Sequence, residues 1–126
     1  MKLEYLADGS PDCPLIRLYD FTGAEVAQLL TAVSSLASGA TERVDVHRLP
    51  FVEPVGGCQL ALVRRTSDQA IIRRRGLCQF ECGFTPGTWN NVAGLVQAIA
   101  DGAPGFQWLA GVPGEAGLLI SASGHW

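Results

Sequence analysis

Only two stretches of this chain carry apolar residues at helical spacing, and everything between and around them falls into strand-sized runs. The first is "FTGAEVAQLLTAVSSLASG", residues 21–39. Thr22 with Glu25 three positions later has capping-box spacing, and Phe21 and Val26 stand where a hydrophobic staple would close the entry. Val26, Leu29, Leu30, Val33 and Leu36 then make one stripe, and Gly39 supplies a stop where positive φ costs little. The second begins at "TPGTW", where Thr85 or Thr88 can cap and Pro86 suits a first turn that needs no N–H from it. Its inner stripe is Trp89, Val92, Leu95, Val96 and Ile99, with Gly102 and Pro104 ending it.

The remaining runs read as strands: 2–6, 15–20, 43–49, 59–65, 106–110 and 117–123, each short, aliphatic-rich and bounded by Gly, Pro, Asp or Ser. Ser67 and Asp68 offer a tight turn, so 59–66 and 69–84 are expected to form a hairpin with a long second arm. Residues 106–110 and 117–123, separated by "GVPGEAG", form a last hairpin. The order β-β-α-β-β-β-α-β-β lacks regular alternation. The expectation is therefore an α+β fold: a mostly antiparallel sheet of six to seven strands with two helices on one face. With 126 residues, 48% of them hydrophobic, the chain is expected to be one domain, 1–126, that needs no metal or disulfide to hold it. No internal repeat is visible. No segment approaches the apolar length of a membrane span, and no apolar leader follows Met1, so the expected location is the cytoplasm with cysteines 13, 58, 78 and 82 as free thiols.

In "RRRGLCQFECGF", residues 73–84, strand alternation puts Cys78, Phe80, Cys82 and Phe84 on one face and Leu77, Gln79 and Glu81 on the other. Cysteines four apart on a strand are separated by roughly 13 Å and cannot share one metal. Core packing is the expected role, and neither metal nor cofactor is expected. Signatures of common enzymes are missing, including G-x-S-x-G, H-E-x-x-H and G-x-x-x-x-G-K. An enzymatic or small-molecule pocket using Cys58 and His47 is the alternative, since Cys58 follows Gly56 and Gly57 at a strand entrance.

Charge is segregated. Residues 64–75 hold Arg64, Arg65, Arg73, Arg74 and Arg75 against Asp68, a net +4, while the remainder is −7 and the whole chain −3. The expected hairpin would set these arginines side by side, with Arg74 facing away from Arg73 and Arg75. They would then be solvated, paired with Glu81, Glu53 or Asp45, or held for an anionic partner. Arginine forks bind carboxylates bidentately, which points to an acidic protein surface as the partner. Nucleic acid is disfavoured by the acidic balance, sequence pI 5.2. A phosphorylated small molecule at the Thr85–Thr88 helix start is a further option. The expected function is a non-enzymatic protein–protein interaction module, of the size and acidity of an inhibitor or immunity protein.

Overall fold

The computed structural model describes residues 1–74, 78–111 and 115–126. The fold is α+β, with two α-helices and nine strands among the described residues: β1 (Lys2–Leu6), β2 (Leu15–Tyr19), α1 (Gly23–Ser38), β3 (Arg43–Asp45), β4 (Glu53–Pro54), β5 (Gln59–Arg64), β6 (Gln69–Arg73), β7 (Gln79–Phe84), α2 (Pro86–Ala100), β8 (Phe106–Ala110) and β9 (Gly117–Ser121).

Both helices form where local chemistry dictates. Thr22 caps α1 with a complete capping box, and Gly39 closes it in the left-handed conformation at φ 84°. The hydroxyl of Thr85 accepts the Thr88 N–H at the start of α2. Asp68 adds to this cap, its carboxylate accepting the Thr85 N–H at 2.9 Å and the Thr88 hydroxyl at 2.7 Å. The anion that occupies this helix start is therefore the chain's own, which displaces the phosphate option raised by the sequence.

The strands depart from expectation. Instead of one mostly antiparallel sheet there are two mixed ones, in the orders β4-β1-β2-β9-β8 and β3-β5-β7-β6. The expected 59–66/69–84 hairpin does not form, because its long arm is two strands, β6 and β7, which pair antiparallel with each other. β5 instead runs parallel to β7, so β7 separates β5 from β6. Residues 43–49 are strand only to Asp45, after which Val46–Arg48 make a 3₁₀ turn. The terminal hairpin does form, β8 against β9.

A repeat hidden in the sequence appears in the topology. Strand pair β1/β2, helix α1 and strand pair β3/β5 make one ββαββ unit; β6/β7, α2 and β8/β9 make a second. Each sheet takes the first pair of one unit and the second pair of the other, joined by a parallel contact, β2 with β9 and β5 with β7. The helix features recur at a constant offset of 63 positions: the caps Thr22 and Thr85, the buried Val26 and Trp89, Leu29 and Val92, Val33 and Val96, Leu36 and Ile99, and the positive-φ Gly39 and Gly102. The first unit carries an insertion between β3 and β5 that includes β4, which adds a short parallel edge to β1.

The helices lie against each other, and their inner stripes join one core with the inward residues of both sheets: Leu3, Ile16, Leu18, Leu118 and Ile120 from the first, Leu60, Leu62, Ile71, Phe80 and Cys82 from the second. Alternation along β7 is as the sequence predicts, with Phe80, Cys82 and Phe84 in the core. Trp89 is 1% exposed and donates its indole N–H to the Val63 carbonyl at 3.0 Å, tying α2 to β5.

Candidate functional site

The outward face of the four-stranded sheet collects the arginines. At its centre Glu81, on β7, is only 7% exposed although it faces away from the core. An unpartnered carboxylate there would be costly. Arg65, just past the end of β5, reaches it at 2.6 Å, and Arg74, just past β6, reaches it through Nη2 at 3.0 Å and Nε at 3.2 Å. Arg43 on β3 brings Nη1 to 4.0 Å of the same carboxylate while its Nε donates to Asp45 at 2.9 Å. Three strands thus converge on one acid. The hydrogen bond from Arg74, ahead of that from Arg65, holds the Glu81 carboxyl below its ordinary range against the opposing effect of burial.

Gly83 makes this possible. A Cβ on Gly83 would stand 2.8 Å from Cγ of Arg65, so only glycine lets that side chain lie across β7 to Glu81.

The guanidinium groups remain accessible. Their side chains are 55% (Arg43), 37% (Arg65) and 49% (Arg74) exposed. Beside them, Gln79 donates to Gln59 across β7 and β5 at 3.0 Å. Among the described residues, the hydrogen bonds and ion pairs of this cluster come from the sheet's own strands and their ends. Toward β3 the surface sinks into a cleft of about 330 Å³, lined by Arg43, Asp45, His47, Arg48, Arg74 and Glu81 among others.

The remaining predicted arginines are used elsewhere. Arg73 points to the opposite side from Arg74, as alternation requires: its Nη2 donates to the Tyr5 hydroxyl at 2.6 Å, and its guanidinium lies over the Tyr5 and Phe80 rings. Its backbone N–H donates to the Glu115 carboxylate, and the Glu115 N–H to the Ile71 carbonyl, so Glu115 occupies the outer edge of β6. Arg64 lies on Gly39 at the C-terminus of α1, where a cation complements the helix dipole, and meets Glu42 at 3.4 Å. Arg75 lies outside the described residues. Glu53 takes no arginine among the described residues. The five arginines therefore do not form one patch: Arg65 and Arg74 come together, and Arg43 and Arg48, distant in sequence, complete the cationic surface.

Cys58 is fully buried, and burial pushes its thiol up to about 12. Cys82 is likewise buried and pushed up to about 12. His47 is near the entrance of β5, but its Nδ1 faces the backbone of Leu60, accepting that N–H at 3.2 Å. Among the described residues no group of three or more His, Cys, Asp or Glu is arranged to hold a metal ion.

Elsewhere, Trp108 on β8 lies flat over Gly117, beside a groove of about 380 Å³ formed with Pro11, Cys13 and Pro14. Trp126 donates its indole N–H to Asp12 at 2.9 Å. Asn90 and Asn91 are exposed on α2.

Comparison of the chain with protein-family models, with curated proteins and with solved structures found no match.

Proposed function

We propose that this chain is a non-enzymatic binding domain, a protein–protein interaction module, and that an acidic segment of a partner docks on the outward face of the four-stranded sheet. The observation that carries this reading is the set of Arg43, Arg65 and Arg74 guanidinium groups gathered on Glu81, each still more than a third exposed. Holding flexible arginines in place before a partner arrives lowers the entropy lost on binding. The surrounding chain is acidic, so the cationic face is local, and a long polyanion following it outward would meet repulsion within one or two Debye lengths, ~8 Å each. That favours an acidic protein segment over nucleic acid. An intracellular inhibitor or immunity-type protein fits this reading, and a cytoplasmic location belongs to it, supported by the four free cysteines. No helix among the described residues is long and apolar enough to cross a membrane.

The enzymatic alternative built on Cys58 and His47 draws no support from the site, because a buried thiol held protonated is a poor nucleophile. Thiol labelling of the native protein separates the two readings. Cys58 and Cys82 should react slowly and the half-buried Cys13 and Cys78 faster; a fast Cys58 would revive the enzyme.

Docking itself is tested by fluorescence anisotropy of a labelled glutamate-rich peptide against wild type and an Arg43→Glu/Arg74→Glu double variant, with circular dichroism as the folding control. Binding should be lost in the variant while the fold remains, since exposed charges add little to stability. Unchanged peptide binding would return these arginines to a purely solvated role. Tight, salt-sensitive capture of generic DNA or RNA by the wild type would replace the proposed partner.

A further inference from the structure

The cleft at the β3 side of the arginine face has a donor inventory that narrows what it accepts. His47 sits in the 3₁₀ turn after β3 and lines the cleft. Its Nδ1 lies against the Leu60 backbone, 3.2 Å from the nitrogen and 3.3 Å from the carbonyl oxygen, which leaves Nε2 for the cleft. Arg48, next along the chain, is exposed and has no ion pair or hydrogen bond among the described residues. Arg74 spends Nε and Nη2 on Glu81, leaving Nη1, and Arg43 spends Nε on Asp45. Gln59 uses its amide oxygen to accept from Gln79, so its amide N–H groups are unspent.

The acceptors, by contrast, are largely consumed. Both oxygens of Glu81 receive arginine N–H groups, and Oδ1 of Asp45 receives Arg43. Among the described lining residues three arginines stand against two acids, an excess of one positive charge. One negative charge completes that balance, whereas a dianion or a run of phosphates overshoots it.

We propose that this cleft is the anchor site for a single side-chain carboxylate of the docking segment, received by Arg43, Arg48 and Arg74 with Nε2 of His47 beside them. Glu81 and Leu60 act as positioning groups: the first aims Arg74, and the second holds the His47 ring through Nδ1. Charge-assisted hydrogen bonds to a carboxylate are among the stronger polar contacts, so a few of them suffice to register one glutamate or aspartate. This inference rests on the docking reading above and assigns it an address.

The test is an NMR titration of the full chain with a blocked oligoglutamate peptide, following the arginine Nε–H and His47 ring signals. Shifts should appear at Arg43, Arg48, Arg74 and His47 and not at Arg17 or Arg64. Arg48→Gln, on an exposed side chain that the fold does not use, should weaken the peptide about fivefold, and His47→Phe about tenfold. Asp45→Asn, which raises the lining by one charge, should increase affinity for inorganic phosphate more than for the peptide. If the peptide binds but shifts only Arg64 and Arg65, docking stands and the anchor site falls. If wild type prefers inorganic phosphate to the peptide, the carboxylate assignment falls. If the peptide does not bind at all, the docking reading falls with it.

Discussion

The outward faces of the two sheets are built from equivalent strand pairs, and each carries one central charge, Arg17 on β2 and Glu81 on β7. Their surroundings differ. Arg17 is 22% exposed and fully engaged: Nε and Nη2 donate to Glu4 at 2.9 and 2.6 Å, Nη1 donates to the Gly124 carbonyl at 2.9 Å, and the guanidinium lies 4.0 Å from the Tyr19 ring centroid. Residues 122–126 return over that face, held by the Ser121 hydroxyl donating to the His125 carbonyl at 2.7 Å and by Trp126 on Asp12. Leu15 and Leu119 are buried on the side away from the core. On the other sheet the central group is an acid, Ala61 and Val63 beside it are buried too, and among the described residues its partners are half-exposed arginines rather than a returning tail. One face is closed by the chain itself, and the other is organised but left open. Burial of apolar surface stabilises the first, while the second keeps its arginines partly in water, where they remain available for association.

Each face also has a glycine that seats a large side chain, and these give the largest expected contrast. A Cβ at Gly117 would meet the Trp108 ring at 2.8 Å, and one at Gly83 the Arg65 stem at 2.8 Å. Trp108 carries a rigid ring that cannot bend away as a flexible chain can, so Gly117→Ala should cost about 2–3 kcal/mol in urea unfolding. The Arg65 chain can swing into solvent, so Gly83→Ala should cost about 1 kcal/mol and lose the Arg65–Glu81 contact. Equal penalties would mean that the open face is as structural as the closed one.

Arg17→Ala comes next, at about 2 kcal/mol, because it leaves Glu4 unpaired and frees the tail. Faster amide exchange through 122–126 should accompany the loss. Arg65→Ala should cost about 1 kcal/mol or less, since Arg74 still holds Glu81. Were Arg65→Ala the costlier of the two, the arginine cluster would have to be read as a stability element.

The smallest effect is in acid. Glu81 has a folded-state pKa below its ordinary 4.5, mainly through Arg74, so the unfolded chain binds that proton more readily. The contribution is fully present above pH 4.5 and is lost as pH falls through the folded-state value. Glu81→Gln should therefore lower stability slightly at neutral pH, leave it unchanged in acid below the folded-state value, and so flatten the acid limb of the stability curve below pH 4.5. An unchanged acid limb would show that the arginines do not bias the protonation of Glu81.

What sequence reading could reach is seen at α1 and β7. Thr22 and Glu25 act three positions apart, and Gly39 closes back on Ser35, so cap and stop are each legible locally, and alternation alone sends Phe80 and Cys82 inward. The error between 59 and 84 has a specific cause. Ser67–Asp68 looks like a hairpin turn, but Asp68 is bound to the α2 cap and the chain crosses over β7 instead. That misplaced turn put the arginines in one patch. Arg43 and Arg48 were missed because nothing local joins them to Arg65 and Arg74; the usable signal was Glu81, the one acid in β7.

By itself the sequence determined both helices, their ends, their buried stripes and the inward and outward faces of β7, because caps and periodicity are short-range. Tertiary structure alone decided which strands adjoin: two sheets rather than one, β7 between β5 and β6, and a paired ββαββ architecture whose repeat survives only in a few cap and core positions. Strand partners are chosen by burying the faces of both sheets and both helices in a single core, a condition on the whole chain that no local window contains. The fate of each arginine followed from that choice, since a guanidinium becomes a helix cap, a ring partner or a docking group according to what the neighbouring strand sets beside it.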